Sequence, residues 1–165
     1  VGKSSIINSV TKNNKLAKTS KTPGRTQSIN YFNIKKKINV VDLPGYGYAK
    51  ISKVLQNQLS ELIQSFIKSR IALKHVFVLI DAKVGIKSSD IDMFDLINYA
   101  EKQFSIVLTK IDKCPGSFIE KQQNSLLSLM KNYPNYFSKF FFTSSKTNQG
   151  IIDVQKSIYR ISQES

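Results

Sequence analysis

The sequence predicts an α/β fold: a mostly parallel sheet flanked by helices. Three observations predict it. Near-continuous apolar runs at Ile38–Val41, Lys74–Asp81 and Phe104–Leu108 read as strands buried on both faces, which parallel sheets require. Segments with apolar residues at helical spacing alternate with them. The first of these runs ends in an acid, Asp42, which puts one carboxylate at the C-terminal edge where open α/β sheets bind ligands.

Composition narrows the class. The 165 residues are enough for one domain with a real core, and the 41% hydrophobic content is ordinary. No apolar run approaches the about 20 residues of a membrane span, and the N-terminus carries no signal-peptide pattern. The lone Cys114 excludes an internal disulfide and a Cys-rich zinc site, and a cytoplasmic location is expected. Charge is the unusual feature: 25 Lys and Arg against 11 Asp and Glu, a formal net charge of +14. The first 41 residues hold nine basic side chains and no acid. With no long amphipathic basic helix, RNA is the favoured polyanion partner.

In chain order, Gly2-Lys3-Ser4-Ser5 opens an apolar helix through Ile6, Ile7 and Val10. This is the second half of a Walker A loop. Gly2 lets backbone N–H groups face phosphate, Lys3 reaches the β- and γ-phosphates, and Ser4 offers a hydroxyl to Mg²⁺. The chain begins inside this motif, so the strand that normally precedes it is expected to be missing, and residues 1–165 read as a single, N-terminally truncated domain.

Thr11 to Ser28 is polar, basic and turn-rich. A loop of that length in a compact domain is usually functional or disordered. Read as a switch loop, it offers Thr26 as a second hydroxyl for Mg²⁺; Thr22 is the competitor. Thr26 is preferred because it follows Pro23-Gly24 and leads into a strand. Ile29–Ile34 and Lys37–Leu43 read as strands joined by a tight basic turn.

Asp42-Leu43-Pro44-Gly45 then places a carboxylate at a strand end and a side-chain-free N–H where a γ-phosphate oxygen can approach. Tyr46, Gly47, Tyr48 and Lys50 form an exposed aromatic and basic loop. A helix is expected over Ser52–Arg70, with Val54, Leu55, Leu59, Leu62, Ile63, Phe66 and Ile67 as its core face. His75, the single histidine, is taken as a strand-edge residue. Ser88–Tyr99 reads as a helix opened by a Ser-Ser-Asp cap. Ser117–Asn132 reads as a helix, Lys139–Phe142 as a strand and Gly150–Ser162 as the final helix.

Thr109-Lys110-Ile111-Asp112 at a strand end carries base chemistry. An aspartate accepts two hydrogen bonds from guanine N1–H and its 2-amino group, whereas adenine would leave it unpaired. The Lys110 stem can lie on the flat base. Phe142-Thr143-Ser144-Ser145-Lys146 matches the loose motif whose backbone N–H contacts guanine O6.

These pieces, in this order, resemble the EngB family of bacterial ribosome-biogenesis GTPases, within the Era/EngA-like P-loop group. The carrying stretches are Val1–Asn8, Thr19–Gln27, Asp42–Lys50, Thr109–Lys113 and Thr143–Lys146. Asp-Leu-Pro-Gly-Tyr-Gly-Tyr-Ala-Lys, Thr-Pro-Gly-Arg-Thr-Gln and Thr-Lys-x-Asp in place of Asn-Lys-x-Asp belong to that family's pattern.

The resemblance implies a Ras-like P-loop GTPase fold that binds GTP or GDP with Mg²⁺ and hydrolyses GTP. It also implies a role in large ribosomal subunit assembly through rRNA and in normal cell division and septation. Val1, Gly2, Lys3, Ser4 and Ser5 would hold phosphates. Gly24, Arg25, Thr26, Gln27 and Ser28 would close from switch I, with Ser4 and Thr26 on the metal. Asp42, Leu43, Pro44 and Gly45 would sense the γ-phosphate. Thr109, Lys110, Ile111, Asp112, Thr143, Ser144 and Ser145 would read guanine. Lys3, Thr26 and Gly45 would carry the catalytic step. Tyr46 follows Gly45 where other GTPases place a glutamine, so slow intrinsic hydrolysis by a monomer is expected. The competing reading is a basic rRNA-binding scaffold with incidental nucleotide turnover; an ATPase is disfavoured by Asp112.

Overall fold

The computed structural model describes residues 2–12, 29–34, 37–46 and 50–164. Helix α1 spans Lys3–Thr11, strand β1 Asn30–Ile34, β2 Ile38–Asp42 and helix α2 Lys53–Ser69. Strand β3 spans His75–Asp81, helix α3 Ser88–Tyr99 and β4 Gln103–Thr109. A single 3-10 turn at Ile111–Lys113 leads to α4, Gly116–Met130; β5 (Phe137–Phe142) and α5 (Ile151–Gln163) follow.

The strands divide into two sheets. β1 and β2 form an antiparallel hairpin in which Asn30 faces Asp42 and Ile34 faces Ile38. β3, β4 and β5 form a parallel sheet in that order. His75 is level with Gln103 and Asp81 with Thr109, while Leu108 is level with Phe142. The second edge of β2 and that of β3 both border a largely apolar groove of about 500 Å³, with Val41, Val76 and Leu79 among its walls and Lys3 at one end. The parallel ladder matters for function because it brings the C-terminal ends of β3, β4 and β5 to one rim.

The core lies against that parallel sheet. Phe104 stacks on Phe94 at 5.5 Å and on Phe137 at 5.0 Å, and the Tyr133 ring meets Phe94 and Phe104 edge-on. This cluster explains why β5 starts at Phe137 rather than at Lys139: Phe137 is a buried member of it, entering across an irregularity between Phe104 and Ser105. On α2, Leu59, Ile63, Phe66 and Ile67 are buried as expected, but Val54 in the first turn is exposed. Ser52 is the cap rather than the first helical residue, accepting the Leu55 N–H at 3.2 Å.

Helix α3 begins at Ser88 as expected, and Asp90 of the expected Ser-Ser-Asp cap reaches back to accept the Lys87 N–H at 2.8 Å, with Lys87 at the cap position. His75 is the first residue of β3, and its Nε2 lies 2.8 Å from Ser105 Oγ on β4. Helix α1 packs against α5, and Gln155 Nε2 donates to Val10 O at 2.8 Å. No helix among the described residues is long and apolar enough to cross a membrane.

Candidate nucleotide site

One part of the candidate site, where phosphate is expected, forms where α1 starts beside the end of β2. Gly2 precedes α1 in a left-handed conformation, φ 80°, that favours glycine. Lys3 Nζ lies 2.7 Å from Asp42 Oδ1 and also donates to Leu43 O. Asp42 is buried, and its Oδ1 meets the ammonium off its hydrogen-bonding directions, so the contact is ionic. With the Lys3 ammonium drawn away, this buried carboxylate oxygen would suit a hard cation, and the Ser4 hydroxyl lies in the first turn of the adjoining helix. The donor chemistry therefore fits Mg²⁺. After Asp42 the chain runs through half-buried Leu43, buried Pro44 and Gly45 to Tyr46, whose hydroxyl donates to Asp90 Oδ1 at 2.8 Å.

The other part, where the base is expected, forms at the C-terminal rim of the parallel sheet. An open cavity of about 480 Å³ is lined by Gly2, Ser5, Asn8 and Ser9 of the α1 region, Thr109, Lys110, Asp112 and Lys113, and Ser145 and Lys146. Lys110 takes a left-handed backbone, φ 61°, and its Nζ pairs with Asp81 Oδ2 at 3.2 Å. Asp112 Oδ1 accepts the Ser144 hydroxyl at 2.7 Å. That bond, helped by the positive charge of Lys146 and Lys113, outweighs partial desolvation and holds the Asp112 carboxyl below its ordinary pKa. Asp112 is thus an exposed carboxylate at neutral pH, oriented by a buried hydroxyl.

Two loops are stitched together to place it. Ile111 N–H donates to Thr143 O at 3.2 Å, and Thr143 N–H and Oγ1 both donate to Leu108 O, at 2.8 and 2.9 Å. Ser144 N–H donates to Gln149 O at 3.0 Å, and its Oγ accepts the Thr147 N–H at 3.2 Å. Thr109 belongs to β4 itself and donates to Ile80 O at 3.4 Å, tying β4 to β3.

The 50S ribosome-binding GTPase family matches residues 1–110. The probable GTP-binding protein EngB of Fusobacterium nucleatum is 44% identical over 150 residues, covering 91% of this chain and 75% of the relative. The corresponding protein of Gluconobacter oxydans is 36% identical over 160 residues, covering 97% and 70%. The chain belongs to the EngB family of GTP-binding proteins. It is a P-loop GTPase, and the fold agrees. A crystal structure of a probable EngB superposes with a TM-score of 0.77 at 20% identity, over 99% of this chain and 94% of that one. Era, crystallised with MgGDPNP and nucleotides 1506–1542 of 16S ribosomal RNA, superposes with a TM-score of 0.76 at 22% identity, over all of this chain and 54% of Era.

On this EngB scaffold, Gly2, Ser5, Thr109, Lys110, Asp112 and Ser145 line the open cavity, while Lys3 and Asp42 meet at the start of α1. The side chains of Thr109, Ile111 and Thr143 are buried in the frame that carries Asp112, and the Thr143 and Ile111 N–H groups are bonded within it. Val1, Gly24, Arg25, Thr26, Gln27 and Ser28 lie outside the described residues, as do Thr22, Gly47 and Tyr48. The sequence reading missed Asn8 and Ser9 as cavity residues, and Asp81 as the partner of Lys110. The polar spacing Ser5, Asn8, Ser9 at i, i+3 and i+4 on α1 was the available signal.

Proposed function

We propose that residues 1–165 form one GTP-binding domain that cycles between GTP and GDP and acts as a monomeric cytoplasmic switch in large ribosomal subunit assembly, with a consequence for cell division and septation. One observation carries the nucleotide reading: Lys3 with Asp42 at one end and Lys110 with Asp112 at the other flank the same helix start, Gly2 to Ser5. The Asp112 carboxylate selects guanine over adenine. Lys3 neutralises charge on the β- and γ-phosphates as water attacks the γ-phosphorus and the bond to the bridging oxygen breaks. Ser4 and Thr26 would hold Mg²⁺ near Asp42, and the bound ion supplies further charge neutralisation. The Gly45 N–H supports γ-phosphate sensing. Tyr46 points its hydroxyl at Asp90, so it does not take the place of a water-orienting amide, and slow intrinsic turnover follows.

The ribosomal reading rests on the family match and on the net charge of +14. The test uses the full-length protein. Competition binding with GTP, GDP and ATP, with and without Mg²⁺, is expected to show guanine preference and Mg²⁺-dependent GTP affinity. Equal affinity for ATP would reject the site. Binding to large-subunit precursors across a salt series, with a non-hydrolysable GTP analogue and with GDP, is expected to give tighter binding and a steeper slope in the GTP state. Identical slopes and affinities in both states would favour the passive rRNA-binding scaffold.

A further inference from the structure

Asp81 has no role in the site as derived so far, yet it stands on its rim. It closes β3 directly beside Thr109 in the parallel ladder, one residue before Lys110 on the neighbouring strand. Its carboxylate is committed on both oxygens: Oδ1 accepts the Lys83 N–H at 3.0 Å and Oδ2 takes Lys110 Nζ at 3.2 Å. Asp81 is itself held by the turn that follows, in which Val84 and Gly85 N–H groups donate to Asp81 O at 3.1 and 2.9 Å. The other end of the contact is equally constrained. The left-handed backbone of Lys110 starts its side chain across the strand end, and its Cε passes 3.6 Å from where a Cβ would stand on Gly2. The four-carbon stem therefore bridges from β4 to the helix start, with its ammonium anchored on β3.

We propose that Asp81 is a positioning residue for guanine binding, fixing the Lys110 stem as a wall of the base cavity by holding its ammonium. The proposal rests on the reading that Lys110 and Asp112 flank the base. A free lysine stem samples many rotamers, and that freedom is lost when a base packs on it. Anchoring the ammonium beforehand removes part of that loss, the general advantage of a preorganised contact. Burial pushes the Asp81 pKa up, but the Lys110 contact and the Lys83 amide outweigh it, so the carboxylate stays ionised through the neutral range.

The experiment measures GDP and GTP affinities of the full-length protein carrying Asp81→Asn, Lys110→Met, or both. Asparagine keeps an oxygen for the Lys83 N–H and turns its NH2 donor toward Lys110, so both the charge and the acceptor for the ammonium are lost. Asp81→Asn is expected to weaken GDP and GTP equally, by about fivefold, the scale of a partly exposed ion pair. In the Lys110→Met background it is expected to have almost no effect, and Asp81→Glu is expected to restore part of the loss. A residue that merely supported the fold would weaken both backgrounds alike, and that result would overturn the proposal. So would wild-type affinity in Asp81→Asn alongside weakened binding in Lys110→Met. If Lys110→Met and Asp112→Asn both bind normally, the base-end reading itself falls and takes the proposal with it.

Discussion

Ser144 donates its hydroxyl to Asp112 across 2.7 Å, joining the loop after β5 to the turn after β4. The bond uses one carboxylate oxygen and holds the plane of the other. Ser144→Ala should therefore weaken GTP and GDP alike by about three- to tenfold, the net worth of one ordinary intramolecular hydrogen bond. Asp112→Asn should weaken GTP and favour xanthosine triphosphate, whose O2 replaces the guanine amino group. The pH dependence follows from the depressed Asp112 pKa. Guanine binding is complete while Asp112 is ionised and is lost as pH falls through that pKa. Removing the hydroxyl raises the pKa toward its ordinary value, so Ser144→Ala should lose affinity at higher pH than wild type. A binding titration over acid pH checks both; coincident pH curves would separate Ser144 from the base site.

Tyr46 follows Gly45 and donates to the buried Asp90 at 2.8 Å. Asp90 also carries the cap of α3, so this phenol connects the stretch after β2 to a helix start. Tyr46→Phe leaves one buried carboxylate oxygen without this donor and should cost about 1–3 kcal/mol of stability. Single-turnover GTP hydrolysis should be unchanged when both proteins are saturated. A large fall in the hydrolysis rate with unaltered stability would make the phenol part of the reaction instead of an anchor.

His75 supplies a pH signature of folding. Burial at the start of β3 lowers its pKa from 6.5 to about 4, and the ring stays neutral beside Ser105 and Phe77. Between these values the unfolded chain binds the proton and the folded chain does not. Stability contributed by the neutral ring is therefore fully present above about pH 6.5, falls as the solution is acidified, and is gone below about pH 4. The loss is at most about 3 kcal/mol for a shift of this size. Urea unfolding of wild type and His75→Gln across pH 4 to 7 should show a shallower acid slope in the variant. Parallel slopes would mean that the histidine titrates normally.

Much of this architecture was legible because periodicity and punctuation agreed. β3 and β4 are apolar on both faces, and the residues that end them are the polar ones that build the site. Asp42, Lys110 and Asp112 could be named because their chemistry sits in short motifs. Asp81 could not, because its partner is adjacent only across the parallel ladder, a relation that spacing along the chain does not encode. What the motifs did not show is the frame behind Asp112: the Thr109 and Thr143 hydroxyls, and the Thr143 N–H, all donate to carbonyls of the sheet. The early start of β5 depended on an aromatic cluster assembled from α3, β4 and the α4–β5 connection.

Gly150 and Gly116 make a matched pair for the last prediction, since each opens a helix beside the site. Gly150 precedes α5 with φ 74°, in the left-handed region that favours glycine. A Cβ there would stand 2.1 Å from Phe142 O, 3.1 Å from Phe142 C and 3.2 Å from Thr143 Cγ2. The first two are backbone atoms at the end of β5, fixed by the ladder to β4, so the helix start would have to move. Gly150→Ala combines a disfavoured backbone conformation with overpacking and should cost about 2–5 kcal/mol. The shift falls on the loop from Thr143 to Gln149, which holds Ser144 against Asp112, so GDP affinity should drop as well. Gly116 has no atom within 4 Å of its would-be Cβ and lies in the first turn of α4. Gly116→Ala should be neutral or stabilising by about 0.4–1 kcal/mol through the unfolded chain, with GDP affinity unchanged. Urea unfolding and GDP titration of the two variants side by side decide the matter. Equal stabilities would show that the β5–α5 corner yields freely, and that the frame behind Asp112 is softer than its backbone contacts require.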